Sequence, residues 1–259
     1  MKDKKQNKKL KVGFYAITGC QGCQLSVIFN EDELLDLIEL VDVKSFPFIK
    51  EKNQEKNLDM IIIEGVVTSM DDAEELKRIC KQAKIVVATG ACATTGGIPA
   101  FRNFLDERNF KHLRFHKRMD ISDMDPEPID KFVKVDYYLQ GCPPDKEEIK
   151  RFFKDMLLGK KFKNTENPVC YECRMNGNKC KLDEGIMCLG PITQGGCNAV
   201  CVNGNLECWG CRGPIKDANA GQLIKKLEEI GVPYEKVRRR LETFVGMKTP
   251  IVEEGRKRG

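Results

Sequence analysis

The sequence has no long apolar run, and it contains only two histidines and one tryptophan in 259 residues. No apolar stretch approaches the roughly eighteen residues that a membrane-spanning helix needs, so we expect no membrane span. The start is rich in lysine, but the apolar run that follows is too short for a signal peptide and no twin arginine is present. We therefore expect a cytoplasmic protein.

Motifs for nucleotides and nucleic acids are also missing. Gly96 and Gly97 belong neither to a Gly-x-Gly-x-x-Gly pattern nor to a loop that ends in Gly-Lys-Ser/Thr, which argues against nucleotide binding. The net charge is +5, and much of the excess lies at the two ends, in residues 1–11 and Arg256–Arg258. No aromatic residues alternate with these charges, so we interpret them as solvated termini and expect no nucleic-acid partner.

Cysteine is abundant, and its spacing is the main functional signal. Eight of the thirteen cysteines lie between Cys170 and Cys211, and this stretch begins and ends with a Cys-x-x-Cys pair. A cytoplasmic compartment keeps thiols reduced, and an odd number of cysteines leaves at least one unpaired, so disulfides are disfavoured. Metal ligation is the better interpretation.

Both iron–sulfur clusters and zinc accept sets of four cysteines. The spacings here are Cys-x2-Cys-x6-Cys-x7-Cys and Cys-x3-Cys-x6-Cys-x2-Cys, which fit the two knuckles of a zinc ribbon poorly. The pattern therefore favours iron–sulfur clusters, with a zinc-stabilised scaffold as the alternative. Trp209, inside the last Cys-x-x-Cys pair, is expected either to shield a metal site from solvent or to belong to the core. His112 and His116 lack further ligands and are expected at the surface.

Apolar patterning in the first half alternates between strands and helices. Such a pattern predicts an α/β fold with an open, mostly parallel sheet and helices on both faces. Ser69-x-x-Asp72 predicts a capped helix start. The predicted strands are Lys11–Thr18, Val41–Phe46, Asp59–Val67, Lys84–Thr89 and Val133–Leu139.

Four cysteines follow the ends of these strands. Cys20 and Cys23 follow the first strand, Cys92 follows the Lys84–Thr89 strand, and Cys142 follows the last. Because the carboxyl ends of parallel strands meet at one edge of a sheet, we expect these four thiols to converge there.

The pattern changes after residue 160, where glycine, asparagine and cysteine replace the apolar periodicity. Such a segment buries too little apolar surface to fold alone, and metal ligation would supply the missing stability. We predict a first domain over residues 1–160, a cysteine-rich domain over 161–215 and a helical tail over 216–259.

Many short motifs together resemble one protein family. In the first half they are Thr18-Gly-Cys-Gln-Gly-Cys23, Glu64-Gly-Val, Gly90-Ala-Cys-Ala93 and Gly141-Cys-Pro-Pro144. In the second half they are Cys170-Tyr-Glu-Cys173, Cys188-Leu-Gly-Pro191, Gly196-Cys197-Asn-Ala and Cys208-Trp-Gly-Cys-Arg-Gly-Pro214. Across residues 11–215 the chain resembles the small subunit of nickel–iron hydrogenases. It is most similar to the cytoplasmic (group 3) kind, which includes sulfhydrogenase delta subunits and F420-non-reducing hydrogenases. Its resemblance to the cluster-bearing quinone-oxidoreductase subunit of respiratory complex I is more distant.

This resemblance implies a flavodoxin-like first domain and three iron–sulfur clusters. In the periplasmic branch of the family, a histidine stands where this chain has Cys170, and a proline stands where it has Cys201. With thiols at both positions, the resemblance implies three 4Fe–4S clusters. Its implied ligands are Cys20, Cys23, Cys92 and Cys142 (proximal), Cys197, Cys201, Cys208 and Cys211 (medial), and Cys170, Cys173, Cys180 and Cys188 (distal).

Two further residues receive separate expectations. Some cytoplasmic relatives use a carboxylate at the proximal cluster, so Glu64 is expected either to lie behind the cysteine ligands or simply to cap a strand end. Cys80 has no place in the three sets and is expected to be a small buried apolar residue.

The implied function is electron transfer within a hydrogenase complex. The chain lacks the paired cysteine motifs that bind nickel and iron in the large subunit, so the nickel–iron centre is expected on that partner. A further flavin or iron–sulfur subunit would pass electrons to NAD(P), polysulfide, F420 or a heterodisulfide reductase. The alternatives are an iron–sulfur subunit of another, complex I-like redox complex, and the zinc-stabilised scaffold.

Overall fold

The computed structural model describes residues 9–28, 41–104 and 123–244. Several sequence features lie outside these residues, namely the charged ends over residues 1–8 and Arg256–Arg258, the helical spacing through Leu34, Leu35 and Ile38, and both histidines.

A five-stranded parallel sheet forms the centre of the first half. Its strands are β1 (Leu10–Ala16), β2 (Val41–Ser45), β3 (Leu58–Glu64), β5 (Ala83–Thr89) and β7 (Tyr137–Leu139). They lie in the order β2-β1-β3-β5-β7, and each neighbouring pair is parallel. When only the five strands of this sheet are numbered along the chain, their order is 2-1-3-4-5, which is the order of flavodoxin-like folds. The sheet therefore agrees with the predicted α/β class and with the fold that the resemblance implies.

Alternating side chains on these strands build a core on each face of the sheet. On one face, Val12, Phe14, Met60 and Ile62 pack with helices α1 (Gly22–Ile28) and α4 (Lys146–Leu157). On the other face, Tyr15, Ile61 and Ile63 pack with α2 (Met70–Cys80) and α3 (Gly90–Thr95). Because β3 is buried on both faces, its apolar run is continuous rather than alternating.

The helix caps follow the sequence. Ser69 caps α2 by accepting a hydrogen bond from the backbone N–H of Asp72 at 3.1 Å. The Asp72 carboxylate does not reach back to Ser69, because it accepts instead from the N–H of Thr68. Asp145 caps α4, and Gly159 follows that helix with a left-handed φ of 67°.

The strand predictions were wrong in three places. The strand predicted over Asp59–Val67 ends at Glu64, because Gly65 has a left-handed φ of 95° and Val67 begins a separate strand. The last strand begins at Tyr137 rather than Val133, because Ile129–Lys131 forms a 3-10 turn whose Ile129 carbonyl accepts from the Val133 N–H. A separate two-stranded antiparallel sheet, β4 (Val67–Ser69) with β6 (Asp123–Glu127), was not predicted. The β6 sequence Asp-Met-Asp-Pro-Glu has poor strand propensity, and pairing with β4 determines its conformation.

The cysteine-rich segment contains little regular structure. Its helices are α5 (Val169–Met175) and α6 (Val200–Asn203), and α7 (Ala220–Glu229) and α8 (Tyr234–Phe244) follow it. The last two helices pack against the cysteine-rich segment through Leu223, Leu227 and Leu241, which share one core with Leu189 and Ile192. Both helices lie in the segment predicted to be helical; the division into three domains stays a prediction.

Candidate functional site

The four cysteines predicted to meet at the sheet edge do so. They follow β1, β5 and β7, and these strands with β3 are consecutive neighbours in the sheet. Burial, assisted by the nearby thiols of Cys142 and Cys20, raises the pKa of Cys92 to about 12. Burial also raises the pKa of Cys142, and Cys20 again adds to the rise. The thiols therefore form a group of mutually close, partly desolvated sulfurs.

Glycines let the loops of this sheet-edge set approach closely. A Cβ on Gly90 would collide with the Cys23 sulfur, and the residue has a φ of +83° that only glycine adopts without strain. The next residue, Ala91, donates its N–H to the Gly141 carbonyl at 2.7 Å. Because Gly141 precedes Cys142, the start of α3 brings the Cys23 and Cys142 loops together.

Glu64 lies behind this set. It is the last residue of β3, and its buried Oε2 accepts from the backbone N–H groups of Cys23 at 2.9 Å and Gln24 at 3.3 Å. Burial raises its pKa, which the hydrogen bonds from Cys23 and Gln24 oppose. Burial and the neighbouring Glu64 also raise the pKa of Cys23. Glu64 thus holds the loop that carries the first two cysteines.

A second set gathers around α5 and the loop after it. Cys170 and Cys173 lie on α5, and burial raises the pKa of Cys170 to about 12, with contributions from Cys188, Cys173 and Cys180. A Cβ on Gly190 would lie 3.2 Å from the Cys170 sulfur and 3.5 Å from that of Cys188, so both sulfurs flank this glycine. The first and last cysteines of Cys-x2-Cys-x6-Cys-x7-Cys are thereby brought together.

A third set lies between the other two. Burial raises the pKa of Cys211 to about 11, and Cys197 and Cys201 add to the rise. The backbone of Cys142, from the sheet-edge set, lies close to the Cys211 sulfur and opposes that rise in pKa. At the other end, the backbone N–H of Cys208 donates to the Cys188 sulfur of the second set at 3.3 Å. The Cys208–Cys211 motif therefore contacts both neighbouring sets.

Twelve thiols in three neighbouring groups of four match the chemistry of 4Fe–4S ligation, in which each iron takes one thiolate. Cys80 stands apart, partly buried at the end of α2 against the apolar core, as expected. Among residues 9–28, 41–104 and 123–244, no three His, Cys, Asp or Glu side chains form a group that would hold a single metal ion. Where burial raises the thiol pKa, as at Cys92, Cys170 and Cys211, metal binding must displace the thiol protons.

Trp209 is not a core residue. Its side chain is 45% exposed, and the Arg240 guanidinium from α8 covers its ring at 3.3 Å from the ring centroid. Arg240 also pairs with Glu207 at 3.3 Å. The interpretation of Trp209 as ordinary core is therefore wrong, and a cation–π contact holds it over the Cys208–Cys211 loop.

Three charged residues in or against the cysteine-rich segment escaped the sequence interpretation. Glu172, between Cys170 and Cys173, accepts from the backbone N–H groups of Gly196 and Ala199 and so ties the second set to the third. Arg212 and Glu148 form an ion pair at 2.7 Å in which both side chains are almost fully buried. The sequence could have pointed to two of them by their position, because Glu172 lies inside one Cys-x-x-Cys pair and Arg212 directly follows the other.

Known proteins resemble this chain over most of its length. The family described as "NADH ubiquinone oxidoreductase, 20 Kd subunit" matches residues 20–156. The chain is 34% identical to the sulfhydrogenase 2 subunit delta of Pyrococcus furiosus, over 91% of this chain and 99% of that protein. The chain belongs to the small-subunit family of nickel–iron hydrogenases. It is therefore an oxidoreductase subunit of the hydrogenase kind.

Other members of the hydrogenase family agree with this assignment. A subunit of the F420-non-reducing hydrogenase of Methanocaldococcus jannaschii is 28% identical over 85% of this chain and 89% of that protein. A chain of an NAD+-reducing [NiFe]-hydrogenase crystal structure is 32% identical, with a TM-score of 0.51, over 60% of this hydrogenase subunit and 94% of that chain. Within the part of the chain that the structure describes, no helix is long and apolar enough to span a membrane.

Proposed function

We propose that this hydrogenase small subunit relays electrons between the nickel–iron centre of a partner large subunit and a further redox subunit, through three 4Fe–4S clusters. The proximal cluster would be held by Cys20, Cys23, Cys92 and Cys142, the medial by Cys197, Cys201, Cys208 and Cys211, and the distal by Cys170, Cys173, Cys180 and Cys188. Bound in these sets, the clusters would supply one-electron transfer at potentials tuned by burial, charge and hydrogen bonds to sulfur.

The observation that carries the proposal is the continuity of the three sets. The backbone of Cys142 lies close to the Cys211 sulfur, and the Cys208 N–H donates to the Cys188 sulfur at 3.3 Å. One Cys-x-x-Cys motif is thus linked at one end to the sheet-edge set and at the other end to the α5 set. A conduit needs this arrangement, whereas three independent structural metal sites do not.

The large subunit and the further subunit are inferred from the relatives. Relatives named as NAD-reducing and as F420-non-reducing both match this chain. Because acceptor chemistry differs between them, we assign the choice of acceptor to a partner subunit. A cytoplasmic location, where thiols stay reduced, completes the proposal.

Replacing one proximal ligand tests the relay. In the purified complex, Cys142→Ala should abolish hydrogen-dependent dye reduction, because the proximal set loses a ligand. Hydrogen–deuterium exchange by the large subunit should persist, because that reaction needs no electron exit. Iron content should fall from about twelve per chain towards eight.

Cys80→Ala is the matched control, since Cys80 is a partly buried cysteine outside all three sets. It should retain the iron content and the dye reduction of the native complex. Full-rate dye reduction by Cys142→Ala, or loss of iron in Cys80→Ala, would contradict the assignment.

A second candidate follows from the family match over residues 20–156, whose printed description is a subunit of NADH ubiquinone oxidoreductase. In that case the chain would serve a redox complex without nickel. The nickel content of the co-purifying large subunit separates the two candidates.

A further inference from the structure

The guanidinium of Arg212 is the most completely buried charged group of the described chain, at 1% exposure. Its Nη1 donates to the Gln140 carbonyl at 2.6 Å, and its Nε donates to the Gly195 carbonyl at 2.8 Å. Its Nη2 donates to Glu148 Oε1 at 2.7 Å. One planar cation therefore bonds three separate parts of the chain, a geometry that lysine does not reproduce.

Two of these parts carry predicted cluster ligands. Gln140 lies two residues before Cys142, in the loop of the sheet-edge set. Gly195 lies two residues before Cys197, and Arg212 itself follows Cys211, so both belong to the third set. The guanidinium thus joins the loop of one set to two loops of the next.

Glu148 supplies the balancing charge from α4. Burial raises its pKa, while the hydrogen bond and charge of Arg212 oppose that rise. Arg151 also approaches Glu148, at 3.7 Å, but its side chain is 48% exposed. The other charged neighbours of Arg212 are the thiols of Cys197 and Cys211, which as thiolates would favour its cationic form.

The chain makes room for this pair at Gly196. A Cβ there would lie 2.5 Å from Arg212 Nη2 and 2.7 Å from Glu148 Oε1. The glycine before the ligand Cys197 therefore permits the ion pair to lie directly against the ligand loop. A buried ion pair is in general a weak source of stability compared with apolar packing, so its place beside the thiols requires another explanation.

We propose that Arg212 is a positioning residue that sets the spacing of the proximal and medial ligand loops and, with its charge balanced by Glu148, tunes the reduction potential of the medial site. This inference rests on the proposed function. Reduction adds negative charge, and a nearby buried cation stabilises the reduced state. Arg212 should therefore raise the medial potential, and Glu148 should moderate that effect.

The test compares four variants of the purified complex by potentiometric titration with a chemical reductant, followed by paramagnetic resonance of the reduced clusters. Arg212→Gln should shift the medial potential downwards, and Glu148→Gln should shift it upwards. Arg212→Lys keeps the charge but not the three-way hydrogen bonding, so it should retain the potential and lose iron to a chelator faster than the native complex. Arg151→Gln is the matched control and should change neither property.

Shifts of Arg212→Gln and Glu148→Gln in the same direction, or no shift in either, would overturn the inference, because a merely structural pair produces no opposite signs. If Arg212→Gln fails to assemble, an upward shift in Glu148→Gln together with an unshifted Arg212→Lys supports the inference, and any other pattern overturns it. The titration uses no hydrogen. A complex that titrates as described but fails to reduce dyes with hydrogen therefore contradicts the proposed function alone.

Discussion

Substituting Gly196 by alanine should loosen the segment between the proximal and medial loops. The new Cβ would lie 2.5 Å from Arg212 Nη2, closer than real side chains tolerate, and the backbone φ of +111° is unfavourable for alanine. The backbone strain costs about 1–3 kcal/mol. Displacing one partner of a buried ion pair costs about 3–5 kcal/mol. The local loss should therefore be about 4 kcal/mol or more.

Gly231→Ala is the control that separates the backbone strain from the steric clash. Gly231 also has a positive φ, of +83°, but a Cβ there would meet nothing within 4 Å. Only the backbone strain of about 1–3 kcal/mol applies at this position. The difference between the two variants therefore measures the displacement of the Arg212–Glu148 pair.

Amide hydrogen exchange of the intact complex, read by mass spectrometry, reports such local losses. Since about 1.4 kcal/mol corresponds to a factor of ten, Gly196→Ala should accelerate exchange around residues 192–215 by about a thousandfold. Useful reporters are the N–H of Gln194, bonded to the Gly213 carbonyl, and that of Ile215, bonded to the Ile192 carbonyl. Gly231→Ala should change only the turn between α7 and α8. If the amides of Gly196→Ala exchange as slowly as those of the native chain, the close packing of Gly196 against Arg212 and Glu148 does not stabilise this segment.

The remaining predictions concern α4 and the outermost strand β7. Asp145→Ala removes the side chain that accepts from the N–H groups of Glu147 and Glu148, so α4 should lose about 1 kcal/mol and its first-turn amides should exchange about fivefold faster; unchanged exchange would count against the cap. Burial and Asp130 raise the pKa of Tyr138 to about 12, above its unfolded value of about 10. Its contribution to stability is fully present below pH 10 and is lost as the pH rises towards 12. Tyr138→Phe should therefore flatten the fall of the unfolding midpoint between about pH 10 and pH 12, and an unchanged slope would contradict the raised pKa of Tyr138.

The sequence predicted the sheet well because its strands are buried on one or both faces. The run Ile61-Ile62-Ile63 lies in the central strand β3. Once parallel strands are assigned, the carboxyl-edge rule requires Cys20, Cys92 and Cys142 to converge, and they do. This part of the site was therefore predictable from topology alone.

The charged contacts between the sets were not predictable. Glu148 and Arg212 are 64 residues apart, and charged side chains on an amphipathic helix are normally solvated. Only the folded chain shows that Glu148 points from α4 into the loops of the cysteine-rich segment. Strand β6 was missed for a similar reason, because long-range pairing overrides the poor propensity of its Asp-Pro sequence.

The role of Glu64 was predictable only in part. Its place at the end of a strand was visible in the sequence, and both expectations for it hold in part. It ends β3, and its carboxylate also binds the backbone of the Cys23 loop. The contact depends on β1 and β3 being neighbours, which the apolar pattern does not specify.

Metal analysis of the complex, purified without oxygen, decides whether this chain holds a three-cluster electron relay of a nickel–iron hydrogenase. We expect about twelve irons for each copy of this chain, no stoichiometric zinc, and nickel in the co-purifying large subunit. A colourless complex with about three zinc ions per chain and no iron would contradict it.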